Sequence, residues 1–222
     1  MERVDARVLE ALKEFDSATI FNAVVERQGV SNEEYTGPEI RALLPELGPI
    51  IGYAVTAELT PLDPDSPELP WEDYYDYLAT TPGPTIAVIK DVDSQPHRAA
   101  SFGDGMARLH KALGSVGGIV DGSIRDLAGI RAAGFPMFAS GTVPGHGPFH
   151  LIRYAAPVTV GRLRVRTGDL LFGDLDGVVR IPLDIAADVA RIAGDIRRKE
   201  QAFFDMVDAP DFTIEQYKAW KD

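Results

Sequence analysis

The chain has 222 residues, of which 45% are hydrophobic and 25% charged, a composition typical of a globular protein that can bury a sizeable core. Its formal net charge of −12 argues against a nucleic-acid partner, because binding a phosphate backbone requires a basic surface. A small anionic substrate is not excluded, since one arginine or metal ion can reverse the local field. The absence of cysteine excludes disulfide bonds and thiolate chemistry, so a bound metal would need oxygen or imidazole ligands.

The N-terminal segment is predicted to form an amphipathic helix, since Val4, Val8, Leu12 and Phe15 recur at helical spacing. A second, shorter helix is predicted over residues 20–25. The first segment is charged and lacks the hydrophobic region of a signal peptide, and no apolar run approaches the roughly 18–20 residues of a membrane span. We therefore expect a cytoplasmic protein without a membrane partner.

The next part of the chain predicts two strands separated by a loop and a helix. The first strand covers residues 48–57, and the second, Thr85–Asp91, is nearly all apolar and is the best candidate for a central strand. Between them lie a proline-rich loop, Pro61–Pro70, and a helix with three tyrosines, Trp71–Leu78. We interpret that helix as aromatic packing at the edge of the core or at a subunit contact.

Residues 103–136 predict an alternation of helix and strand on which the functional interpretation depends. Two glycine-rich turns, Gly103-Asp104-Gly105 and Asp121-Gly122-Ser123, are each predicted to open a helix, with a buried strand at Gly118–Val120 between them. Gly134 is placed to end the second helix, and another strand is predicted to follow it. Parallel strands joined by a helix bring the strand ends and the helix starts to one edge of a sheet.

Arg125 and Asp126 follow the predicted strand directly, at the edge where open α/β sheets bind ligands. Asp126 is a candidate ligand for a hard cation such as Mg²⁺, which needs only one or two carboxylates; alternatively, it is an acid favoured by the dipole of its helix. Arg125 either binds a carboxylate or a developing oxyanion, or it is a surface arginine.

Asp104 also has two interpretations. It either caps the helix that begins at Gly105, or it orients water bound to a metal while the amides of Gly105 and Met106 receive a substrate carboxylate. Gly103 and Gly105 permit the close backbone approach that the second role needs.

The histidines do not predict a zinc site. His146 and His150 share helical spacing, but Gly147 and Pro148 would break a helix between them.

Short strands separated by Gly/Asp turns are predicted in the last third of the chain, over residues 158–160, 163–165, 170–172 and 178–182. We interpret them as a β-rich lobe continuous with the sheet, followed by a helix over residues 183–207. The predicted fold class is therefore α/β, with a single domain at residues 1–207 and a C-terminal arm at residues 208–222.

Together these motifs resemble one family, the class II, metal-dependent 4-hydroxy-4-methyl-2-oxoglutarate / 4-carboxy-4-hydroxy-2-oxoadipate aldolases. That family also contains the regulator of ribonuclease activity A and the other RraA-like proteins. The spacing from Gly103-Asp104 to Arg125-Asp126 carries the resemblance, which extends over roughly residues 10–205. Further matching segments are Ser17–Thr19, Gly52–Thr56, Val120–Gly122, Gly134–Ala139, Val165–Asp169 and Gly173–Pro182.

The resemblance implies a swivelling β/β/α core that assembles as a homotrimer or homohexamer, with active sites between subunits. It implies that Asp126 binds Mg²⁺ or Mn²⁺ directly and that Asp104 steadies the waters around the ion. Glu200 is our best match for a glutamate that reaches the site from the C-terminal helix of a neighbouring subunit.

The resemblance also implies a small 2-oxo acid substrate. Arg125 corresponds to the arginine that contacts the pyruvyl group, and the amides of Gly105 and Met106 correspond to the cradle for its carboxylate. The implied reaction is retro-aldol cleavage of a 4-hydroxy-2-oxo acid through a pyruvate enolate. Decarboxylation of oxaloacetate is an expected companion activity, because loss of CO₂ yields the same enolate.

Some features depart from the family pattern. Phe21-Asn22-Ala23 stands where the aldolases usually have an acidic residue, and the Pro61–Pro70 and Pro144–His150 loops are unusual, so acceptor specificity stays open. One rival function is a regulator that binds an RNA-processing enzyme, and another is an enzyme acting on a different hydroxy or sugar acid. The Asp104, Arg125 and Asp126 set favours an enzyme, because a pure binding protein does not need a metal site.

Overall fold

The structure, a computed structural model, describes residues 3–30 and 34–221. The helices of the described chain are α1 (Ala6–Leu12), α2 (Ser17–Gln28), α3 (Trp71–Thr80), α4 (Asp104–Ala112), α5 (Leu127–Ala133), α6 (Ala186–Val207) and α7 (Ile214–Lys221). The strands are β1 (Arg41–Ala42), β2 (Ile50–Thr60), β3 (Thr85–Asp91), β4 (Ser115–Ile124), β5 (Met137–Thr142), β6 (His150–Tyr154), β7 (Val158–Val160), β8 (Leu163–Val165), β9 (Leu170–Asp174) and β10 (Gly177–Ile181). Short 3₁₀ helices cover Pro45–Leu47 and Leu183–Ile185.

The main sheet has a parallel centre and antiparallel edges. Its order is β1-β5-β4-β3-β2-β9-β10, and β2, β3, β4 and β5 are mutually parallel. The first half of β2 pairs antiparallel with β9, whereas its last residues pair antiparallel with β6. This arrangement confirms the α/β class and places the predicted strand Thr85–Asp91 at the centre of the sheet. The connections that leave β3, β4 and β5 all start at the same, carboxyl edge of the sheet.

Apolar side chains cover the sheet in three clusters. Helices α1, α2 and α6 pack on β9, β10 and the start of β2, around Tyr53 and Phe172. Helices α3, α4 and α5 pack on the central parallel strands, around Tyr74 and Phe102. The β7–β8 hairpin packs on the opposite face of these strands, against residues such as Phe138. The sheet is therefore buried on both faces, as expected for parallel strands that read as apolar runs.

The structure corrects two of the predicted elements. Asp121-Gly122-Ser123 does not form a turn that opens a helix; these residues continue β4, which ends at Ile124. Gly122 suits a buried strand here, because a Cβ atom would stand only 2.9 Å from Cβ of Asp91. The β-rich lobe is also only partly continuous with the sheet, since β9 and β10 join it but β7 and β8 form a separate two-stranded sheet.

The predicted C-terminal helix is present as α6, and a second, short helix that was not predicted, α7, follows it and packs against it. The ring centroid of Phe203 in α6 lies 6.3 Å from that of Tyr217 and 6.1 Å from that of Trp220, both in α7. Within the described chain, no helix combines the length and hydropathy required to cross a membrane.

Candidate active site

A cavity of about 250 Å³ lies at the carboxyl edge of the parallel strands. Six of the residues predicted from the sequence line it: Gly103, Asp104, Gly105, Met106, Arg125 and Asp126. Its remaining walls consist of Ala100, Phe102, His146 and Phe149. The structure thus brings the starts of α4 and α5 together, although the two segments are separated by more than a full helix and strand in the sequence.

The start of α4 presents backbone amides to this cavity. Gly103 is the N-cap residue in an extended conformation, and it has no side chain that could cap the helix. The amides of Gly105 and Met106 belong to the first turn, where no preceding turn supplies an acceptor, so they can bind an anion. A Cβ atom on Gly103 would stand 3.1 Å from Oδ2 of Asp126, which shows how closely the two chain segments approach.

Arg125 and Asp126 occupy the link between β4 and α5. The Arg125 backbone N–H donates to the Phe102 carbonyl oxygen (2.9 Å), which ties this link to the start of α4. Asp126 is the N-cap residue of α5 and has left-handed dihedral angles (φ 59°, ψ 38°), which cost free energy in a residue other than glycine. Its side chain makes no capping hydrogen bond. Instead Oδ2 lies 3.3 Å from Nε of Arg125, and the two side chains are 43% and 36% exposed.

Asp104 is positioned by a glycine on the neighbouring helix. It is the first residue of α4, rather than the cap before it, and its side chain lies against the backbone of Gly129 in α5. A Cβ atom at position 129 would stand only 2.7 Å from Cβ of Asp104, a distance that real Cβ atoms do not adopt. Gly129 therefore belongs to the site as a packing requirement, and sequence reasoning did not single it out.

The loop that follows β5 also contributes to the lining of the cavity. His146 is exposed and lines the cavity together with Phe149, the two ring centroids 5.8 Å apart. Phe149 stacks on Trp71 at 5.3 Å, and the Trp71 Nε1–H donates to the Phe149 carbonyl oxygen (3.3 Å). Sequence reasoning did not assign His146 to the site, although its position after the carboxyl end of a parallel strand was a usable signal.

A buried histidine in α4, His110, makes hydrogen bonds to the first turn of that helix and to α3. His110 Nδ1 lies 2.8 Å from the Met106 carbonyl oxygen, which can only accept, so Nδ1 carries the proton. Nε2 then accepts from the Tyr74 hydroxyl at 2.9 Å. Burial lowers the pKa of His110 to about 4, so the ring is neutral at pH 7. Its role is structural.

The candidate Glu200 and the histidine His97 do not line the cavity. Glu200 is half-buried near the end of α6 and lines a separate groove with Lys199, Phe203, Tyr217 and Trp220. It does not meet Asp126 within one chain, so its predicted contribution to a neighbouring subunit stays a prediction. His97 faces Asp121 instead, with Nε2 3.5 Å from Oδ1.

The carboxylates fit a hard cation that keeps most of its waters. Asp104 and Asp126 both line the cavity, and the Asp126 carboxylate is accessible to solvent. No cluster of three or more His, Cys, Asp or Glu side chains that could enclose a metal occurs in residues 3–30 and 34–221. An ion such as Mg²⁺ needs only one or two carboxylates, whereas a structural Zn²⁺ site needs four ligands. The donor set therefore suits Mg²⁺ or Mn²⁺ and argues against a structural zinc site.

Comparison with known proteins supports the resemblance seen in the sequence. The chain is 34% identical over 132 residues to a Halalkalibacterium halodurans protein named "Putative 4-hydroxy-4-methyl-2-oxoglutarate aldolase", and the alignment covers 57% of this chain. The chain spans only 61% of the length of that relative.

Solved structures agree on the fold. One is RraAS2 of Streptomyces coelicolor, described as an unusual member of the RNase ES inhibitor RraA protein family. Its TM-score is 0.73 at 26% identity, and the superposition covers 90% of this chain and 97% of RraAS2. An uncharacterized Pseudomonas syringae protein shares the fold, with a TM-score of 0.79 at 22% identity. The superposition covers 98% of this chain and 95% of that protein. A family model described as RraA-like, Aldolase/RraA, matches residues 15–180. The chain belongs to the RraA-like family.

Proposed function

We propose that the protein is a metal-dependent lyase that cleaves a 4-hydroxy-2-oxo acid by a retro-aldol reaction, with oxaloacetate decarboxylation as a companion activity. The observation that carries this proposal is the single cavity shared by the α4 amides, the Asp104 carboxylate and the Arg125-Asp126 pair. The name of the 34% identical relative supports the same reaction class. Both reactions pass through a pyruvate enolate, so one set of groups serves both.

The carboxylates are the proposed ligands of the cation. Asp126 would hold Mg²⁺ or Mn²⁺ directly, and Asp104 would hydrogen-bond the waters that complete the shell of the ion. When bound, such a cation would act as a Lewis acid and stabilise negative charge on the oxygen of the 2-oxo group.

The rest of the site binds and orients the pyruvyl part of the substrate. The amides of Gly105 and Met106 donate to its carboxylate, helped by the positive end of the α4 dipole. The Arg125 guanidinium adds a fixed positive charge where the enolate oxygen develops, and it cannot lose its proton at neutral pH. Asp126 lies 3.3 Å from Arg125 Nε and so orients that guanidinium as well.

The test is pyruvate release from oxaloacetate by chelator-treated protein, with and without added Mg²⁺ or Mn²⁺. Oxaloacetate decays spontaneously and free metal speeds its decay, so Asp126→Ala sets the baseline. Glu26→Ala, an exposed acid on α2, is a matched control that should behave as wild type. Metal-dependent turnover well above the Asp126→Ala baseline is expected, and wild-type turnover equal to that baseline would refute the lyase.

The second candidate is a regulator of a ribonuclease, which the likeness to RraAS2 over 90% of the chain favours. A regulator acts through its surface, so inhibition of an RNase E-type enzyme would be retained by Asp126→Ala. Assaying RNA cleavage with both proteins separates the two functions. Equal inhibition by wild type and variant, without oxaloacetate turnover, would favour the regulator.

A further inference from the structure

We propose that His146 is the general base that removes the proton of the C4 hydroxyl during retro-aldol cleavage. This assignment rests on the function proposed above and names the group that acts on the bond to be broken. It follows from the position of the loop, the tautomer of the ring and the chemistry of the other cavity residues.

The loop that carries His146 is held in place over the cavity at several points. The Val143 N–H donates to the Ile124 carbonyl oxygen (3.0 Å), and the Ala100 N–H donates to the Gly145 carbonyl oxygen (2.8 Å). The Gly147 N–H donates to the Pro61 carbonyl oxygen (2.9 Å), which joins this loop to the proline-rich loop. His146 is therefore flanked on both sides by tethered residues, and its ring remains exposed at the cavity wall.

The local hydrogen bond selects the tautomer that a base needs. His146 Nδ1 lies 2.9 Å from the Gly147 carbonyl oxygen, and a carbonyl oxygen only accepts, so Nδ1 carries the proton in the neutral ring. Nε2 then has a lone pair and can accept a proton. A backbone carbonyl that orients the ring in this way is a common arrangement for a histidine that transfers protons.

The other protonatable side chains of the cavity have different tasks. In the described chain these are Asp104, Arg125 and Asp126. Arg125 is a permanent cation and cannot act as a base. Asp126 is paired with Arg125, and Asp104 is packed against Gly129 on the same wall. His146 is the remaining side chain of the cavity that can accept a proton, so the assignment places the C4 end of a substrate at the imidazole when Arg125 and the α4 amides hold the pyruvyl part.

The proposed step balances within the substrate and the ring. Nε2 of His146 takes the C4 hydroxyl proton, and the O–H electron pair forms the C4 carbonyl. The C3–C4 bond breaks, and its electron pair forms the pyruvate enolate. The enolate then takes a proton at C3, which the imidazolium or water supplies, and pyruvate and a carbonyl product leave. Oxaloacetate has no C4 hydroxyl, and its loss of CO₂ needs no base.

This difference between the two substrates provides the experiment. Steady-state rates are measured with Mg²⁺ for 4-hydroxy-2-oxoglutarate cleavage and for oxaloacetate decarboxylation. His146→Gln should lower kcat for cleavage by about 10²–10⁴-fold with little change in KM, while decarboxylation stays within about twofold of wild type. Free imidazole should partly restore cleavage in His146→Ala, because the side chain is exposed. His97→Gln, the same change at a histidine outside the cavity, is the matched control and should leave both rates unchanged.

Each other outcome overturns the assignment in a recognisable way. Normal cleavage in His146→Gln would exclude His146 as the base, and equal loss of both activities would make it a binding or structural residue. Absence of both activities in the wild-type protein would refute the lyase itself, and the base with it.

Discussion

At the scale of single residues, the candidate site depends on backbone positions as much as on functional groups. Asp126 adopts left-handed dihedral angles, and Gly103 approaches its carboxylate so closely that a Cβ atom would be 3.1 Å away. Strain of this kind persists only where the surrounding structure imposes it, and it is frequent at functional sites. The hydrogen bond from Arg125 to Phe102 and the start of α5 at Leu127 supply that constraint here.

Arg125 is expected to contribute to the rate more than to stability. Arg125→Ala should lower kcat/KM for oxaloacetate by about 10²–10³-fold, because one lost oxyanion donor typically has that effect. Its exposed ion pair should contribute less than about 1 kcal/mol to folding. The rate is compared with that of Arg191→Ala, which removes an exposed arginine from α6. An unchanged rate for Arg125→Ala would exclude the arginine from the reaction.

Gly129 gives a test of how Asp104 is positioned. In Gly129→Ala the new Cβ atom would overlap with Cβ of Asp104, so α4 and α5 must separate, the carboxylate moves with α4, and turnover should fall by at least about tenfold. Alanine favours a helix by about 1 kcal/mol over glycine, which offsets part of the cost of that separation, and circular dichroism checks that the variant is folded. Gly194→Ala in α6 is the matched control, since the nearest atom to its new Cβ is 3.5 Å away. Wild-type turnover in Gly129→Ala would show that the position of Asp104 does not matter.

At the scale of elements, helix α4 connects the cavity to the core through a buried hydrogen-bond chain. The Tyr74 hydroxyl in α3 donates to His110, and His110 donates to the Met106 carbonyl oxygen one turn earlier. Met106 lines the cavity, so the chain runs from α3 to the amides proposed to bind substrate. A charged His110 would disrupt it, because a protonated Nε2 could not accept from Tyr74.

The neutral state of His110 predicts a pH dependence of stability. Burial lowers its pKa from 6.5 to about 4, so the unfolded chain binds the proton more readily. The contribution of neutral His110 to the free energy of unfolding is therefore complete above pH 6.5. It is lost as the pH decreases towards 4. When the pH is lowered from 7.5 to 5, protonation of this group should decrease the free energy of unfolding by about 2 kcal/mol.

Urea unfolding at pH 7.5 and at pH 5 measures this effect. The wild type should lose more stability over the interval than His110→Gln, whereas His97→Gln should lose as much as the wild type. The same pH slope in the wild type and in His110→Gln would show that His110 does not supply the dependence.

The sequence predicted the elements whose signals are local. The apolar run at Thr85–Asp91 became β3 with the same bounds, and Gly134 ends α5 in the left-handed conformation expected of a C-cap. Short strands that lack such a signal were missed, including β1 and β6, because their pairing with β5 and β2 is set by residues far away in the sequence. Asp121-Gly122-Ser123 looked like a turn by composition, but burial between neighbouring strands overrode that preference.

The same division applies to the cavity. Residues 103–106 and 125–126 follow two adjacent parallel strands, so their meeting could be predicted from the order of helices and strands. The loop that carries His146 is held at the cavity by backbone hydrogen bonds to Ile124, Ala100 and Pro61, and no local pattern encodes those contacts. Gly129 depends on the packing of α5 against α4, which is likewise a tertiary feature.

At the scale of the whole molecule, the C-terminal helices present exposed apolar side chains and an acid that do not line the cavity. Large exposed side chains on or beside these helices are Phe204, Phe212, Ile214 and Trp220. An exposed apolar patch of this kind is typical of a surface that contacts another chain. Glu200 lies in the same region, beside Tyr217 and Trp220, so a contact that buries the patch would also bring this carboxylate to a neighbouring subunit.

Subunit mixing tests whether Glu200 completes the site of a neighbour in a trimer or hexamer. Asp126→Ala and Glu200→Gln should each be inactive in oxaloacetate decarboxylation when purified alone. In assemblies that contain both variants, a site built from the Asp126 of one subunit and the Glu200 of the next is intact. Random mixing of equal amounts should restore about one quarter of wild-type activity, because both residues are intact at one site in four. The fraction of one quarter refers to the unfractionated mixture, in which light scattering gives the subunit number. If two affinity tags are used to isolate mixed trimers, each has one intact site in three, and about one third of wild-type activity is expected. Activity no higher than that of the separate variants would mean that the site does not take Glu200 from a neighbouring subunit.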